Sequence, residues 1–178
     1  MENRLIFVTG GARSGKSRFA QELADGIRGN KVFIATAEAL DEEMQARIEI
    51  HKQERPSGWD TIEEPRKLSR AIMSCDGKYE VVLIDCVTLW VSNLLANDGF
   101  TGQDIVKELK TVLNTSKSIK ATVIMVSNEV GSGIVPDKKL SRLFRDIIGN
   151  ANQEMSFTAD EVYLVVAGMP LKLKGKTS

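Results

Sequence analysis

The residues with the clearest chemical meaning lie within the first 17 positions of the chain. An apolar run at residues 5–9 leads into Gly10-Gly11-Ala12-Arg13-Ser14-Gly15-Lys16-Ser17, which has the spacing G-x-x-x-x-G-K-S. Glycines let the backbone curl so that several N–H groups face one anion, and the helix that follows adds the positive end of its dipole. Lys16 can then reach the outer phosphates, and the Ser17 hydroxyl can hold a magnesium ion. The alternative is a glycine-rich turn with an accidental lysine, but the strand–loop–helix context predicts a site for a nucleoside triphosphate.

A carboxylate stands where magnesium chemistry would require one. Residues 81–84 are the apolar run Val-Val-Leu-Ile, and Asp85 ends it. In proteins with a phosphate loop, such an acid holds the magnesium shell opposite the Ser or Thr of the loop. A helix N-cap is the alternative role, because Asp caps helices well and a helical pattern follows. The two roles are compatible with each other.

His51 is the only histidine of the chain, and it lies in a predicted helix at residues 41–53. A metal site is not indicated, because one histidine without a nearby cysteine is not a ligand set. The residues themselves leave two interpretations open. His51 is a solvent-facing residue beside Lys52 and Arg55, or it is a nucleophile, since a neutral imidazole attacks phosphorus near neutral pH and leaves again from the phosphoramidate.

The elements that must position these residues alternate between strands and helices. The predicted strands are 5–9, 31–36, 81–85, 122–127 and 161–167, and the predicted helices are 16–27, 41–53, 65–74, 88–97, 103–118 and 137–154. The nearly continuous apolar content of the strands is typical of parallel strands covered on both faces. The pattern predicts an α/β fold of the P-loop NTPase type, with a mainly parallel sheet flanked by helices.

Two further expectations concern the edges of this sheet. Residues 171–174, Leu-Lys-Leu-Lys, predict a short edge strand with its lysines on the exposed side. Open parallel sheets bind ligands beyond the carboxyl ends of their strands. The residues expected to line the site are therefore 10–17, 35–37, 85–88, 128–129 and Gly168.

Length and composition exclude several classes of protein. The 178 residues suit a single domain, residues 1–178, and the formal net charge of zero gives no indication of a nucleic-acid partner. No apolar run approaches the roughly 20 residues of a membrane span, and the N-terminus has no signal-peptide pattern. Cys75 and Cys86 have neither metal-ligand nor redox spacing. A cytoplasmic protein is expected, with Cys86 acting as a small hydrophobic residue.

Five blocks of residues occur in an informative order. They are Gly10-Gly11-Ala12-Arg13-Ser14-Gly15-Lys16-Ser17, Ile34-Ala35-Thr36, Arg47-Ile48…His51-Lys52…Arg55-Pro56, Ser127-Asn128-Glu129-Val130-Gly131…Gly133-Ile134-Val135-Pro136, and Phe144-Arg145-Asp146…Gly149…Asn152-Gln153. Together they resemble the adenosylcobinamide kinase / adenosylcobinamide-phosphate guanylyltransferase family. The similarity runs from the first predicted strand to about Gly168, which is nearly the whole chain.

The resemblance implies a homotrimeric enzyme of adenosylcobalamin (vitamin B12) biosynthesis with two reactions. In the first, the hydroxyl on the aminopropanol arm of adenosylcobinamide is phosphorylated from ATP or GTP. In the second, GMP passes from GTP to that phosphate, giving adenosylcobinamide-GDP and pyrophosphate. The family forms a guanylylated histidine in the second reaction, and the matching position here is His51. The alternatives are a generic small-molecule kinase and a regulatory module that switches on nucleotide hydrolysis.

The resemblance also implies a set of nucleotide contacts. They are Gly10, Gly11, Ala12, Arg13, Ser14, Gly15, Lys16, Ser17, Ala35, Thr36, Ala37, Lys52, Gln53, Glu54, Arg55, Glu63 and Asp85. The chain departs from the family pattern at three places. Ile50 precedes His51 where some members carry a second histidine, Asp85 replaces a Glu of some members, and Glu54 stands where a small residue is common. Either acid at position 85 is a hard oxygen ligand for magnesium.

Other side chains have two interpretations each. Glu129 could help with the hydroxyl proton or the metal, or it could cap local structure. Trp59 and Trp90 could stack on a base or on the corrinoid, although core packing is favoured. Arg145 and Asp146 match a family motif, but they are equally well explained as a surface ion pair.

Overall fold

The computed structural model describes residues 3–38, 58–97 and 99–175. The strands are β1 Leu5–Gly10, β2 Lys31–Ala35, β3 Asp60–Glu63, β4 Val81–Asp85, β5 Thr122–Asn128, β6 Glu161–Val166 and β7 Met169–Lys174. The helices are α1 Lys16–Asp25, α2 Leu68–Ser74, α3 Val87–Asn97, α4 Gly102–Ser118 and α5 Lys139–Thr158. The helix predicted at residues 41–53 lies outside the described residues.

The strands form one sheet in the order β3-β2-β4-β5-β1-β6-β7. All neighbouring pairs are parallel except β6 and β7, which form an antiparallel hairpin. One face packs against α2, α3, α4 and α5, and the other packs against α1. The predicted α/β architecture with a mainly parallel sheet is confirmed. Among the described helices, none combines the length and the apolarity needed to cross a bilayer.

The sequence pattern does not predict β3. Its residues Asp60, Thr61, Ile62 and Glu63 are mostly polar, and three of the four are exposed. They form a strand because the backbone of β2 offers a parallel ladder at the edge of the sheet. An edge strand with both faces partly open to water carries no apolar run, so periodicity gives no indication of it.

The predicted edge strand at the C-terminal end exists as β7, and of its two lysines Lys174 is exposed and Lys172 is half-buried. Lys172 contacts Glu161 at 2.9 Å, and the Lys174 ammonium donates to the carbonyl of Phe157 at 2.7 Å. Leu171 and Leu173, which alternate with the lysines along the strand, are also exposed, each at 57%. The expected exposure is therefore confirmed for Lys174, whereas Lys172 is half-buried because its ammonium reaches Glu161.

Trp90 is a core residue. Its side chain is 1% exposed in the cluster beneath α3, and its indole N–H donates to the carbonyl of Arg66 at 2.8 Å. The favoured interpretation of Trp90 is therefore confirmed, and no face of the ring is available for a ligand. Trp59 is partly buried against the cluster that contains α1.

Charged side chains form ion pairs and hydrogen bonds around the amino-terminal ends of the central strands. We call this side of the sheet the amino edge. The Asp160 carboxylate accepts the N–H of Leu5 at 2.7 Å and pairs with Lys117 at 2.7 Å. Beside it, Glu161 accepts from Arg4 at 3.0 Å. Burial acts to raise the pKa of Asp160, but the Leu5 N–H and the Lys117 ammonium outweigh it and lower the pKa. The ionised carboxylate therefore stabilises the junction of β1, α4 and β6.

Candidate functional site

The loop predicted to bind phosphate lies at the carboxyl-terminal end of β1, on the edge of the sheet here called the carboxyl edge. The N–H of Ser14 donates to the carbonyl of Gly11 at 3.2 Å, and α1 begins at Lys16. The Lys16 ammonium donates to the same Gly11 carbonyl at 3.1 Å, and its side chain is buried. The cation is therefore held within the curl of the loop, where it can meet phosphate oxygens.

The first turn of α1 is open to an anion. The N-cap is Gly15, which has no side chain to accept from the helix N–H groups, and no acidic residue lies in the first turn. The first N–H groups of a helix have no intrahelical acceptors, and the helix dipole places partial positive charge there. The loop and the helix therefore offer backbone donors and a cation to one ligand of negative charge.

Two glycines are required by this geometry. A Cβ on Gly10 would lie 2.4 Å from the Val165 carbonyl oxygen. Gly15 has φ +92°, and a Cβ there would lie 3.2 Å from the Cα of Gly168. Gly168 itself donates its N–H to the carbonyl of Ser14 at 2.8 Å. The turn after β6 therefore supports the phosphate loop, as its position after a strand predicts.

Buried hydroxyls near the loop have no partner among the described residues. They are Ser14 Oγ in the loop and Thr9 Oγ1 at the end of β1. An unsatisfied buried hydroxyl is costly, so a native structure keeps one where another molecule can complete it. This observation fits a site whose hydrogen bonds are made with a bound ligand.

Asp85 ends β4 at the same carboxyl edge. One strand, β5, separates β4 from β1, which corresponds to about 10 Å between strand axes. The charges of Asp85 and of Lys16 both affect the pKa of the next residue, Cys86. Burial first, and then the charge of Asp85, raise the pKa of Cys86 to about 12, while the charge of Lys16 acts to lower it. The two charges therefore lie near the same thiol, and Cys86 is a buried, protonated, small hydrophobic residue as expected.

The residues present fit a magnesium ion that enters with a nucleotide. The Ser17 hydroxyl and the Asp85 carboxylate are oxygen ligands, and both residues are partly exposed at the carboxyl edge. Within residues 3–38, 58–97 and 99–175, no group of three acidic, Cys or His side chains forms a metal cage. Magnesium seldom needs one, because it takes one or two protein oxygens and completes its shell with phosphates and waters.

Thr36 joins two strand ends rather than facing the loop. Its side chain is fully buried, and its hydroxyl donates to the Cys86 carbonyl at 2.7 Å and accepts the Cys86 N–H at 2.9 Å. Asn93 donates to the Thr36 carbonyl at 2.8 Å. Of the predicted segment 35–37, only Ala37 is partly exposed. Thr36 therefore links the end of β2 to the end of β4. No local sequence pattern predicts these hydrogen bonds, because Cys86 is 50 residues away in the chain.

Glu63 lies at the end of β3, in register with Ala35 of β2. Three strands separate β3 from β1, so about 19 Å lie between their axes. A nucleotide contact by Glu63 would therefore be with the nucleoside end and not with phosphates held at β1. The predicted contacts at Lys52, Gln53, Glu54 and Arg55, and His51 itself, lie outside the described residues.

A polar network at the end of β5 is absent from the predicted contact set. The hydroxyls of Thr88 and Ser127 lie 3.0 Å apart, and Thr88 also accepts the N–H of Asn128 at 2.7 Å. Asn152 of α5 donates to the Asn128 carbonyl at 3.0 Å, and its own Oδ1 is buried without a partner among the described residues. The sequence did indicate this place, since Ser127 and Asn128 end an otherwise apolar strand.

Glu129 caps the loop that follows β5. Its carboxylate accepts the N–H of Gly131 at 2.7 Å and that of Ser132 at 3.1 Å. The hydrogen bond from the Ser132 side chain is the largest cause of its lowered pKa, and the two backbone N–H groups add to it against the effect of burial. The capping interpretation is confirmed. Glu129 also donates its own N–H to the Gly10 carbonyl at 2.9 Å, which places this loop beside the phosphate loop.

Arg145 and Asp146 form a surface ion pair at 3.4 Å, which confirms the simpler interpretation.

Nearby, a groove of about 620 Å³ lies between α4 and α5. The residues that line it are Thr101, Gly102, Gln103, Val106, Leu143, Asp146, Ile147 and Asn150. None of them belongs to the phosphate loop, so the groove is separate from the nucleotide site.

Comparison with known proteins gives a consistent result over almost the full chain. Residues 6–173 match the family model described as cobinamide kinase / cobinamide phosphate guanyltransferase. The bifunctional adenosylcobalamin biosynthesis protein CobU of Escherichia coli (strain K12) is 44% identical, with 96% of this chain and 99% of that protein covered. The protein of the same name from Salmonella typhimurium is 42% identical, with the same coverage. Protein CobP of Pseudomonas aeruginosa is 40% identical, with 95% and 96% covered.

Among solved structures, a KaiC-like protein of Pyrococcus horikoshii OT3 has a similar fold. The TM-score is 0.54 at 17% sequence identity, and the match covers 92% of this chain and 71% of that one. At this identity the likeness concerns the fold alone. It agrees with the predicted P-loop NTPase-like architecture.

Proposed function

We propose that this chain, which belongs to the cobinamide kinase / cobinamide phosphate guanyltransferase family, acts on adenosylcobinamide in two successive reactions. It phosphorylates the hydroxyl of the aminopropanol arm with ATP or GTP. It then transfers GMP from GTP to adenosylcobinamide phosphate through a guanylylated His51, which gives adenosylcobinamide-GDP and pyrophosphate. Membership of the family supports the kinase and guanyltransferase activities, and to these we add the covalent route through His51.

The observation that carries the proposal is the anion site at the carboxyl end of β1. The Lys16 ammonium lies within the loop, the first turn of α1 is uncapped by any side chain, and the Ser14 hydroxyl is buried without a partner among the described residues. These donors are fixed before a ligand arrives. Preorganised donors of this kind stabilise the charge that develops on phosphoryl oxygens in the transition state.

In the kinase reaction, the hydroxyl oxygen of adenosylcobinamide attacks the γ-phosphorus, the bond to the leaving nucleoside diphosphate breaks, and the hydroxyl proton passes to solvent. Lys16 and the backbone N–H groups of the loop hold the β- and γ-phosphates in line for this attack. A magnesium ion, held by Ser17 and Asp85, would neutralise charge on the phosphate oxygens. Glu129 is not assigned as the base, because its carboxylate is occupied by the N–H groups of the next loop.

In the second reaction, an imidazole nitrogen of His51 attacks the α-phosphorus of GTP, and pyrophosphate leaves toward the phosphate loop. A phosphate oxygen of adenosylcobinamide phosphate then attacks the phosphoramidate, and the P–N bond breaks to release His51. Imidazole suits both steps, since it is a good nucleophile near neutral pH and a good leaving group once protonated. Lys52 and Arg55 are proposed to bind phosphate near this histidine.

Covalent labelling tests the route. Incubation with GTP labelled at the α-phosphate, followed by denaturation, is expected to leave acid-labile and base-stable label on wild-type protein and none on His51→Ala. The control is GTP labelled at the γ-phosphate, which should leave no label. A generic kinase or a hydrolytic switch gives no adduct at all, and nucleotidyl transfer that persists in His51→Ala would end the proposal.

Stereochemistry gives an independent measure. Two in-line displacements retain the configuration at phosphorus, whereas a direct transfer inverts it. A chiral α-thiotriphosphate substrate should therefore yield product with retained configuration.

We also propose that the protein forms the homotrimer that the resemblance implies. Analytical ultracentrifugation of the wild-type protein measures this oligomeric state directly.

A further inference from the structure

The loop between β5 and α5 exposes aliphatic side chains that none of the steps above uses. Ile134 is 97% exposed, more than any other large apolar side chain in the described part of the chain, and its neighbour Val135 is 58% exposed. Both belong to the block Gly133-Ile134-Val135-Pro136, one of the motifs on which the family resemblance rests. We call residues 131–136 the apolar loop.

The apolar loop is held at both of its ends. At the front, Glu129 accepts the N–H groups of Gly131 and Ser132 at 2.7 and 3.1 Å. At the back, the Arg142 guanidinium donates to the carbonyl of Pro136 at 2.9 Å and to that of Asp137 at 2.6 Å. Charge-assisted hydrogen bonds of this kind fix a backbone more firmly than neutral ones. The exposure of Ile134 is therefore a consequence of a fixed loop path.

The place of the loop relates it to the nucleotide. Glu129, from which the loop starts, donates its N–H to the carbonyl of Gly10 at 2.9 Å, and Gly10 opens the phosphate loop. The apolar loop therefore starts two residues after a direct contact with the phosphate loop, and a molecule that covers it can extend to the bound triphosphate. The acceptor of either reaction must be there, because its hydroxyl or its phosphate has to reach a phosphorus atom of the nucleotide.

We infer that the apolar loop binds the corrin macrocycle of the cobinamide acceptor, through contact with Ile134 and Val135; this inference rests on the proposed function. The nucleotide does not need this surface, because its charged groups are matched by the donors of the phosphate loop. The acceptor is a large macrocycle with a periphery rich in methyl and methylene groups. Burial of two aliphatic side chains against it contributes affinity without any charge.

The test is a double variant, Ile134→Ser with Val135→Ser, assayed in both reactions. We expect the KM for adenosylcobinamide and for its phosphate to rise by about tenfold, since two buried aliphatic contacts are lost. The Kd for GTP and the extent of labelling by α-labelled GTP should stay within about twofold of wild type. The apolar double variant Ile134→Leu with Val135→Leu should keep the wild-type KM, since the surface remains aliphatic.

Phe157→Ser is the matched control. Phe157 is 85% exposed near the end of α5, toward the amino edge, so its loss removes an apolar surface far from the nucleotide. Its KM values should equal those of wild type. A thermal melt of every variant establishes that the protein is folded.

Two outcomes overturn the inference. One is an unchanged KM for both acceptors in the folded double variant. The other is a fall in molar mass by light scattering, which would make the apolar loop an interface between copies of the chain. Equilibrium dialysis with adenosylcobinamide separates this question from the proposed function. If wild type forms no GMP adduct, the covalent route has failed, and dialysis of wild type against the double variant still decides whether the loop binds the corrinoid.

Discussion

At the amino edge of the sheet, charged side chains pair with one another and with the backbone, whereas several buried oxygens at the carboxyl edge have no partner within residues 3–38, 58–97 and 99–175. Asp160 binds both the Leu5 N–H and Lys117. At the other edge, the oxygens of Thr9, Ser14 and Asn152 have no hydrogen-bond partner among the described residues. Asn3 Oδ1 is the exception at the amino edge.

The difference separates what holds the fold together from what the fold is used for. Apart from Asn3 Oδ1, the polar groups named at the amino edge are satisfied within the chain, so their interactions contribute to stability whether or not a ligand is bound. The carboxyl edge holds polar groups in place for a partner that the described part of the chain does not supply. Such sites commonly give up stability for function. Substitutions at the two edges should therefore affect different measured quantities.

Lys16→Met should have the largest effect, and on activity alone. It removes the cation of the phosphate loop, and we expect kcat/KM of both reactions to fall by at least about 100-fold. Stability should change by no more than about 1 kcal/mol, because within the described residues the ammonium makes a single hydrogen bond, to the Gly11 carbonyl. Steady-state kinetics and urea unfolding measure the two quantities, with Lys120→Met at the amino edge as control. Activity within tenfold of wild type would contradict the site assignment.

Gly10→Ala should damage the same edge through sterics. The added Cβ would lie 2.4 Å from the Val165 carbonyl oxygen, so the phosphate loop must move away from β6. We expect a loss of about 1–3 kcal/mol in the free energy of unfolding. Gly11→Ala is the matched control, since a Cβ there meets nothing within 4 Å, and its stability should stay within about 0.5 kcal/mol of wild type. Equal stabilities for the two variants would show that close approach does not constrain Gly10.

Asp160→Asn should have the smallest effect, and on stability alone. The carboxylate is 39% exposed, so solvent screening weakens its pairing, and we expect a loss of about 1 kcal/mol at pH 7 with unchanged kcat/KM. Glu22→Gln is the control, because Glu22 pairs with Arg18 on an exposed helix surface at 3.7 Å and should cost nothing measurable.

The pH dependence of Asp160→Asn follows from the lowered pKa of Asp160 in the folded protein. Its contribution is fully present above the unfolded pKa, near 4, and is lost as the pH falls through the lowered folded pKa. The difference in unfolding free energy between wild type and Asp160→Asn should therefore shrink below about pH 4. If this difference grew as the pH fell, the folded protein would not favour the ionised form of Asp160.

Local patterns were sufficient for much of the fold. The apolar runs before Gly10 and Asp85 mark two central strands within a residue of their observed ends. The polar residues of β3 could not be found in this way, because their strand forms only against the ladder of β2. The helix predicted from residue 65 begins at Leu68, since Glu64 accepts the N–H groups of Arg66 and Lys67 in a turn of its own.

The candidate site shows the same division. The phosphate loop follows from spacing, since its donors are consecutive backbone groups and one lysine. The roles of Thr36 and Glu129 do not, because their partners, Cys86 and the N–H groups of the next loop, are set by tertiary neighbours or by a turn that the sequence leaves open. Both residues occur in family motifs, yet the motif alone does not tell a structural contact from a catalytic one.

The sequence by itself indicated the ligand class, the alternation of strands and helices, and the edge of the sheet where the phosphate loop lies. These depend on short-range chemistry, namely loop spacing, apolar runs and the polarity of strand ends. Only the tertiary structure decided that Gly168 supports the phosphate loop, that the charges of Lys16 and Asp85 act on the same thiol, and that Glu129 bonds to Gly10. The physical reason is that these relations join residues far apart in the chain, which meet only when the strands take their order in the sheet.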